Sequence, residues 1–333
     1  MITSTFINSI RSAIADYQML CAGDSVVCAL SGGADSVSLL HALCALREEL
    51  AISVSACHVN HGLRGEESDG DMRFCQSLCE RLGVELYLLQ TDVREFQQKH
   101  ESIEETARKV RYDFFAEVSD GKKLATAHNL NDSAETVLLN MMRGTGLKGL
   151  CGIPPVRGNI IRPLIYCSRE EVERYCTENA LDFVTDKTNL SDDYTRNKVR
   201  HIILPEMLKI NESFLDTSAR MQKNLREDSE LLEAMAQEVL AAARTDGGYL
   251  CTEIASQPRP VRSRALRRIL MDGGIEPSAL RISMAEEITL AGKGKINPCR
   301  NKFVVVKKGK LFVETQEQVY KKHLPKEDTQ TQE

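Results

Sequence analysis

Ser31-Gly32-Gly33-Ala34-Asp35-Ser36 is the stretch whose residue types and spacing best suit chemistry. It follows the apolar run Val26-Val27-Cys28-Ala29-Leu30 and precedes an apolar helical pattern, so it reads as a glycine loop between a strand and a helix. Two glycines let backbone N–H groups turn toward one point. The helix N-terminus adds partial positive charge, and together these make an anion site suited to phosphate, with the serine hydroxyls able to donate to the same oxygens. Asp35 conflicts with a pure anion site unless a cation accompanies the phosphate. Magnesium resolves the conflict, because it binds one or two carboxylates together with substrate phosphates. The bland reading is a glycine turn whose Ser and Asp cap the helix. A second cluster, Gly144-Thr145-Gly146-Leu147-Lys148-Gly149, has dinucleotide-fingerprint spacing but follows a helix and ends at Gly152-Ile153-Pro154-Pro155, so its context rejects that role.

The loop needs a frame, and the hydrophobic pattern supplies one. Strands are predicted over residues 26–30, 52–59, 84–89 and 123–127, alternating with helices over 37–43, 68–82, 102–118 and 131–142. This alternation predicts an α/β fold: an open doubly wound, mainly parallel sheet whose ligands lie beyond the carboxyl ends of the strands. The loops to watch are then 31–36, 58–71 and 128–133. An amphipathic opening helix carries Phe6, Ile10, Ala13, Ile14 and Tyr17. Beyond Pro205, Met221, Leu225, Leu232, Met235 and Val239 stripe a long charged helix. A smaller, mostly helical C-terminal domain follows, with a hairpin of residues 303–306 and 311–313. The expected organisation is a catalytic domain over 1–210, a linker helix over 211–245, a small basic domain over 246–320 and a disordered tail over 321–333.

The loop resembles that of the PP-loop ATP pyrophosphatases, which bind ATP and cleave it between the α and β phosphates. Further stretches narrow the resemblance: His58-Val59-Asn60-His61-Gly62-Leu63-Arg64, Glu104-Glu105-Thr106-Ala107-Arg108-Lys109-Val110-Arg111-Tyr112, and Ala127-His128-Asn129-Leu130-Asn131-Asp132-Ser133-Ala134-Glu135-Thr136. Arg143-Gly144-Thr145-Gly146-Leu147, Asp186-Lys187-Thr188-Asn189 and Arg196-Asn197-Lys198-Val199-Arg200 complete the set. In this order they resemble the tRNA(Ile)-lysidine synthetase family, strongly over residues 22–208 and loosely beyond. That resemblance implies a ligase that places the ε-amino group of free L-lysine on the wobble cytidine of a CAU anticodon in tRNA(Ile), after adenylation of the base by ATP. It also carries Arg108 and His128 over as active-site residues.

Such chemistry makes physical demands. Attack at the α-phosphorus accumulates negative charge, calling for Mg2+ and a cationic side chain. Asp35 and Asp132 are the candidate metal ligands and Arg108 the candidate cation. The bland reading pairs Arg108 with Glu104 or Glu105 and makes His128 a capping residue. The lysine amine must lose a proton, with Asp132, His58 and His128 as possible acceptors, and Arg64 is a candidate partner for the lysine carboxylate. For tRNA contacts, Arg196, Lys198 and Arg200, with Tyr194 and His201, suit phosphates and one stacked base. One competing reading is a PP-loop tRNA thiolation enzyme, which needs a sulfur-carrying or cluster-binding cysteine set. The other is a nucleotide- and RNA-binding protein without ligase activity.

Composition bounds the rest. The 333 residues carry 43 Lys+Arg against 48 Asp+Glu, net −5, which excludes a uniformly basic nucleic-acid binder. The total conceals an asymmetry: residues 257–310 hold thirteen Lys and Arg against four Asp and Glu, net +9, which suits a tRNA-body contact. No apolar run approaches membrane-span length, so a cytoplasmic address without a membrane partner is expected. Eleven scattered cysteines read as reduced thiols. The oligomeric state stays open, a homodimer included.

Overall fold

The computed structural model describes residues 5–63, 65–184 and 194–315. Helix α1 (Thr5–Asp16) leads into β1 (Ser25–Ala29), α2 (Ala34–Leu46), β2 (Ser53–Asn60), α3 (Glu66–Leu82), β3 (Glu85–Gln90), α4 (Ile103–Val118), β4 (Lys123–Ala125) and α5 (Leu130–Met142). Next come α6 (Leu147–Leu150), a tight hairpin of β5 (Val156–Arg157) and β6 (Ile160–Ile161), and α7 (Arg169–Glu178). Then follow α8 (Tyr194–Lys198), a π-helical turn Val199–Ile203, α9 (Leu204–Ile210) and the 30-residue α10 (Phe214–Ala243). The predicted alternation of strands and helices is therefore present. β4 ends two residues early, at Ala125, although Thr126 N–H still donates to Ile161 O of β6 at 3.0 Å.

Six strands form one sheet in the order β3-β2-β1-β4-β6-β5, parallel except for the β5–β6 pair. Val26, Val27 and Cys28 of β1 are all buried because apolar layers cover both faces. Val26 and Cys28 pack with Ile10, Leu39, Leu40 and Leu43, whereas Val27 packs with Phe115 and Leu124. Chain order runs outward from β1 through β2 to β3 on one side and resumes at β4 on the other. The carboxyl ends of β1 and β4 thus flank the point where connections diverge, which is where a doubly wound sheet opens a ligand crevice.

The chain divides into two units, Met1–Leu225 and Arg226–Glu333. The second unit contains β7 (Arg244–Thr245), β8 (Gly248–Leu250), α11 (Cys251–Ala255), α12 (Arg259–Asp272), α13 (Ala279–Ala291), β9 (Gly294–Cys299), β10 (Lys302–Lys307) and β11 (Lys310–Thr315). Its apolar cluster joins Ile254, Leu266 and Leu270 to Val304, Val306 and Leu311. The predicted hairpin is β10–β11, turning through Lys308 and Gly309, both at positive φ as a two-residue hairpin requires. It belongs to a five-stranded antiparallel sheet, β7-β8-β11-β10-β9, whose other strands the sequence pattern did not reveal. β7 and β8 are two and three residues long, and β9 carries Gly294 and Pro298, tolerable because it lies at an edge. Several of the basic residues are paired locally: Arg262 with Glu286 at 2.8 Å, Arg268 with Asp272 at 3.0 Å and Arg264 with Glu233 at 3.4 Å.

Candidate active site

The loop 31–36 lies at the divergence point. Gly32 adopts φ +90°, a left-handed conformation that favours glycine, and its carbonyl accepts from Val184 N–H at 2.9 Å. Ser31 and Ser36 hydroxyls lie 3.1 Å apart, and Ser36 donates to Gly33 O at 3.0 Å, so the two serines brace the loop. Helix α2 is preceded by Gly33 as its N-cap and has no side-chain cap hydrogen bond, unlike the bland reading of this Ser/Asp pair as helix caps. An uncapped first turn leaves orphan N–H groups available to an anion.

A cavity of about 800 Å³ opens over this loop, and Asp35, Arg108, His128, Asp132 and Arg196 all line it. Asn129, fully buried, ties the two candidate carboxylates together. Its Nδ2 donates to Asp35 Oδ1 at 2.8 Å, its Oδ1 accepts from Asp132 N–H at 3.0 Å, and its own N–H donates to Asp132 Oδ2 at 3.1 Å. The capping-box half of this arrangement was legible as Asn129-x-x-Asp132; the link to Asp35, across the sheet, was not. Burial pushes the Asp35 carboxyl above its ordinary range, the Asn129 amide opposes this, and repulsion from Asp132 adds to it.

Glu135, one helical turn after Asp132 and fully buried, is a site residue that sequence reasoning missed. Arg200 donates to Glu135 Oε1 at 2.6 Å and to Asp132 Oδ1 at 2.9 Å, while Arg196 donates to Glu135 Oε2 at 3.0 Å. Carboxylates spaced i, i+3 on α5 thus meet guanidiniums spaced i, i+4 on the segment running through the π-helical turn. Two of the three cations expected to meet tRNA phosphate are engaged inward, while Lys198 is exposed. Arg64, Asp186-Lys187-Thr188-Asn189, the Tyr194 side chain and the tail 321–333 lie outside the described residues.

Arg108 stands over the Tyr112 ring, 5.0 Å from its centroid, and has no ion-pair partner among the described residues; Glu105 instead closes a capping box with Ser102. Three imidazoles line the cavity. His58 Nδ1 lies 2.8 Å from Leu30 O, and His128 Nδ1 lies 3.1 Å from Thr126 Oγ1. Burial is the largest cause that depresses His128 to about 4, with Arg162, Arg196 and Arg108 adding to it and Asp132 opposing; His61 is likewise pushed to about 4. Both rings are uncharged at neutral pH. In the unfolded chain they protonate near 6.5, so below that pH the unfolded state takes up more protons. Stability should therefore be complete above pH 6.5 and fall as pH drops toward 4. Urea melts from pH 7.5 to 4.5 should show this, with a shallower decline in His128→Gln; an unchanged slope would refute the assignment.

Two further features bear on the chemistry. Among the described residues, no group of three or more His, Cys, Asp or Glu side chains is arranged to hold a metal unaided. The carboxylates of Asp35 and Asp132 nonetheless fit a cation that shares its coordination with phosphates, since a cation would relieve their repulsion. Among the lining residues Cys57 is the cysteine, and burial pushes its thiol up to about 12, leaving it protonated.

The PP-loop domain model matches residues 3–207, well over half of the chain. The chain belongs to the PP-loop family. Among curated proteins, this PP-loop chain is 41% identical over 236 residues to tRNA(Ile)-lysidine synthase of Clostridioides difficile, covering 69% of this chain and 51% of that protein. It is 37% identical over 293 residues to tRNA(Ile)-lysidine synthase of Caldanaerobacter subterraneus, covering 85% and 62%. The match therefore spans about half to two thirds of these relatives' own length. Among solved structures, the U34-tRNA thiolase NcsA of Methanococcus maripaludis superposes with TM-score 0.56 at 22% identity, over 66% of this chain and 79% of that one. The likeness establishes the shared PP-loop fold. No helix among the described residues is long and apolar enough to cross a membrane.

Proposed function

We propose that this PP-loop protein is a cytoplasmic, ATP-dependent ligase that joins free L-lysine to carbon 2 of the wobble cytidine in the CAU anticodon of tRNA(Ile). The base is first adenylated on its 2-oxygen, and lysine then displaces AMP, so that lysidine, AMP and pyrophosphate are formed. The observation that carries this reading is the convergence of Asp35, Arg108, His128 and Asp132 on one cavity with the phosphate loop, in a chain similar to named lysidine synthases.

Each residue has a part. The uncapped start of α2 and the loop 31–36 receive the phosphates. Asp35 and Asp132 would hold Mg2+ through those phosphates, where the ion neutralises charge on the transferring group. Arg108, exposed over Tyr112 and with no ion-pair partner among the described residues, supplies a cation where charge develops. Deprotonating the lysine amine at pH 7 costs about 4.6 kcal/mol from a pKa near 10.4. His128 and Asp132, which both line the cavity, are the groups placed to take that proton. The exposed Lys198 and the basic second unit would contact tRNA. Nothing favours thiolation, since the protonated Cys57 is unsuited to carrying sulfur.

Incubation with ATP, radiolabelled lysine and the tRNA(Ile) transcript should place label in RNA. Yield should fall steeply between about 50 and 200 mM salt through tRNA affinity, while ATP binding changes far less. Folded, ATP-binding protein that leaves the RNA unlabelled would overturn the proposal.

A further inference from the structure

His58 stands apart from the reacting groups. Ala29 of β1 pairs with Cys57 of β2, and Leu30 N–H donates to Cys57 O at 2.8 Å, which sets His58 beside Leu30, one residue before the phosphate loop. The side chain is 5% exposed and lines the cavity. Its Nδ1 lies 2.8 Å from Leu30 O; a carbonyl oxygen can only accept, so Nδ1 must carry the proton. Cys75 Sγ, 3.5 Å from the same nitrogen, closes that edge. The tautomer is thereby fixed. Burial depresses the ring's basicity, so Nε2 keeps its lone pair at neutral pH and has no hydrogen-bond partner among the described residues.

A lone pair that lines the cavity beside a phosphate site selects its ligand. It repels phosphate oxygens and attracts an O–H or N–H donor. His128 and Asp132 follow β4, on the opposite side of β1 from β2, so the group reaching His58 belongs to the part of the triphosphate that does not react. We propose that His58 is a nucleotide-reading residue, whose Nε2 accepts a hydrogen bond from a hydroxyl or amino group on the nucleoside part of the bound triphosphate. This rests on the reading of loop 31–36 as a nucleotide site.

The test is equilibrium binding of ATP to the full chain, without RNA or lysine. His58→Asn keeps a donor at the Nδ1 position for Leu30 O but lacks the acceptor, so it should melt like wild type and bind ATP about tenfold more weakly. His58→Gln places an acceptor near the Nε2 position and should bind better than His58→Asn. A role confined to bracing Leu30 predicts the reverse order. The 2′-deoxy, 3′-deoxy and 6-desamino analogues of ATP then locate the donor: with one of them the Asn penalty should shrink below about twofold, because the coupled partner is already gone. An Asn chain within twofold of wild type for ATP, or an equal penalty with all three analogues, would overturn the inference. If the Asn chain melts early, His58→Gln against His58→Met gives the same comparison, since both forfeit the Leu30 bond and differ in the acceptor. Wild-type protein that fails to bind ATP would defeat the nucleotide reading itself, whereas binding without these differences defeats the His58 role alone.

Discussion

Asp35→Asn is expected to lower ATP-dependent pyrophosphate release by on the order of a thousandfold while leaving the melting temperature near wild type. Asn has the shape of Asp and can still meet Asn129, so the link between the loop and α5 should survive. What disappears is a negative charge at the start of an uncapped helix, where an anion site otherwise has no use for one. In the folded protein that charge is costly: burial and Asp132 both disfavour it. Neutralising it should therefore be harmless or mildly stabilising for the empty protein and ruinous for turnover, and this opposition identifies a charge kept for a bound cation. The measurement pairs a pyrophosphate-release assay across a Mg2+ series with a thermal melt. Turnover within tenfold of wild type would remove Asp35 from the site.

The second large effect concerns stability. Glu135→Ala should destabilise the first unit by about 3 kcal/mol, because it strips a fully buried carboxylate from two guanidiniums that remain partly buried. For a unit of this size that corresponds to a fall in melting temperature of about 6–12 °C. Asp132 holds Arg200 at 2.9 Å but is 3.6 Å from Arg196, so it offers only partial compensation. Removing Arg200 as well, in Glu135→Ala with Arg200→Met, should recover part of the loss, since an apolar pair avoids an unpaired buried charge. Additive losses in the double variant would show that the pair does not act as a unit. The network also bears on function: it fixes the first turn of α5, and with it Asp132, through contacts outside the phosphate loop.

Local physics was enough to read the frame. The Gly32 turn and the switch from short apolar runs to helical patterning each depend on residues within a few positions of one another, so the loop, with Asp35 in it, and the doubly wound sheet were legible locally, whereas Arg108 and His128 were candidates through the family resemblance. Where context extended further, local reading was insufficient. Arg196 and Arg200 meet carboxylates 61 to 68 positions away, and no periodicity encodes such a pairing. The bond from Asn129 to Asp35 spans 94 positions. The tautomer of His58 depends on Leu30, 28 positions earlier and adjacent only once β1 and β2 pair. In the second unit, strands of two or three residues and an edge strand bearing proline were too weak to register alone: β8 and β9 are held by pairing with the hairpin, and β7 by pairing with β8. The sequence by itself thus determined the frame and which residue types are available for chemistry; the tertiary structure decided which charges are neutralised and which lone pair lines the cavity, because those outcomes depend on distance in space rather than along the chain.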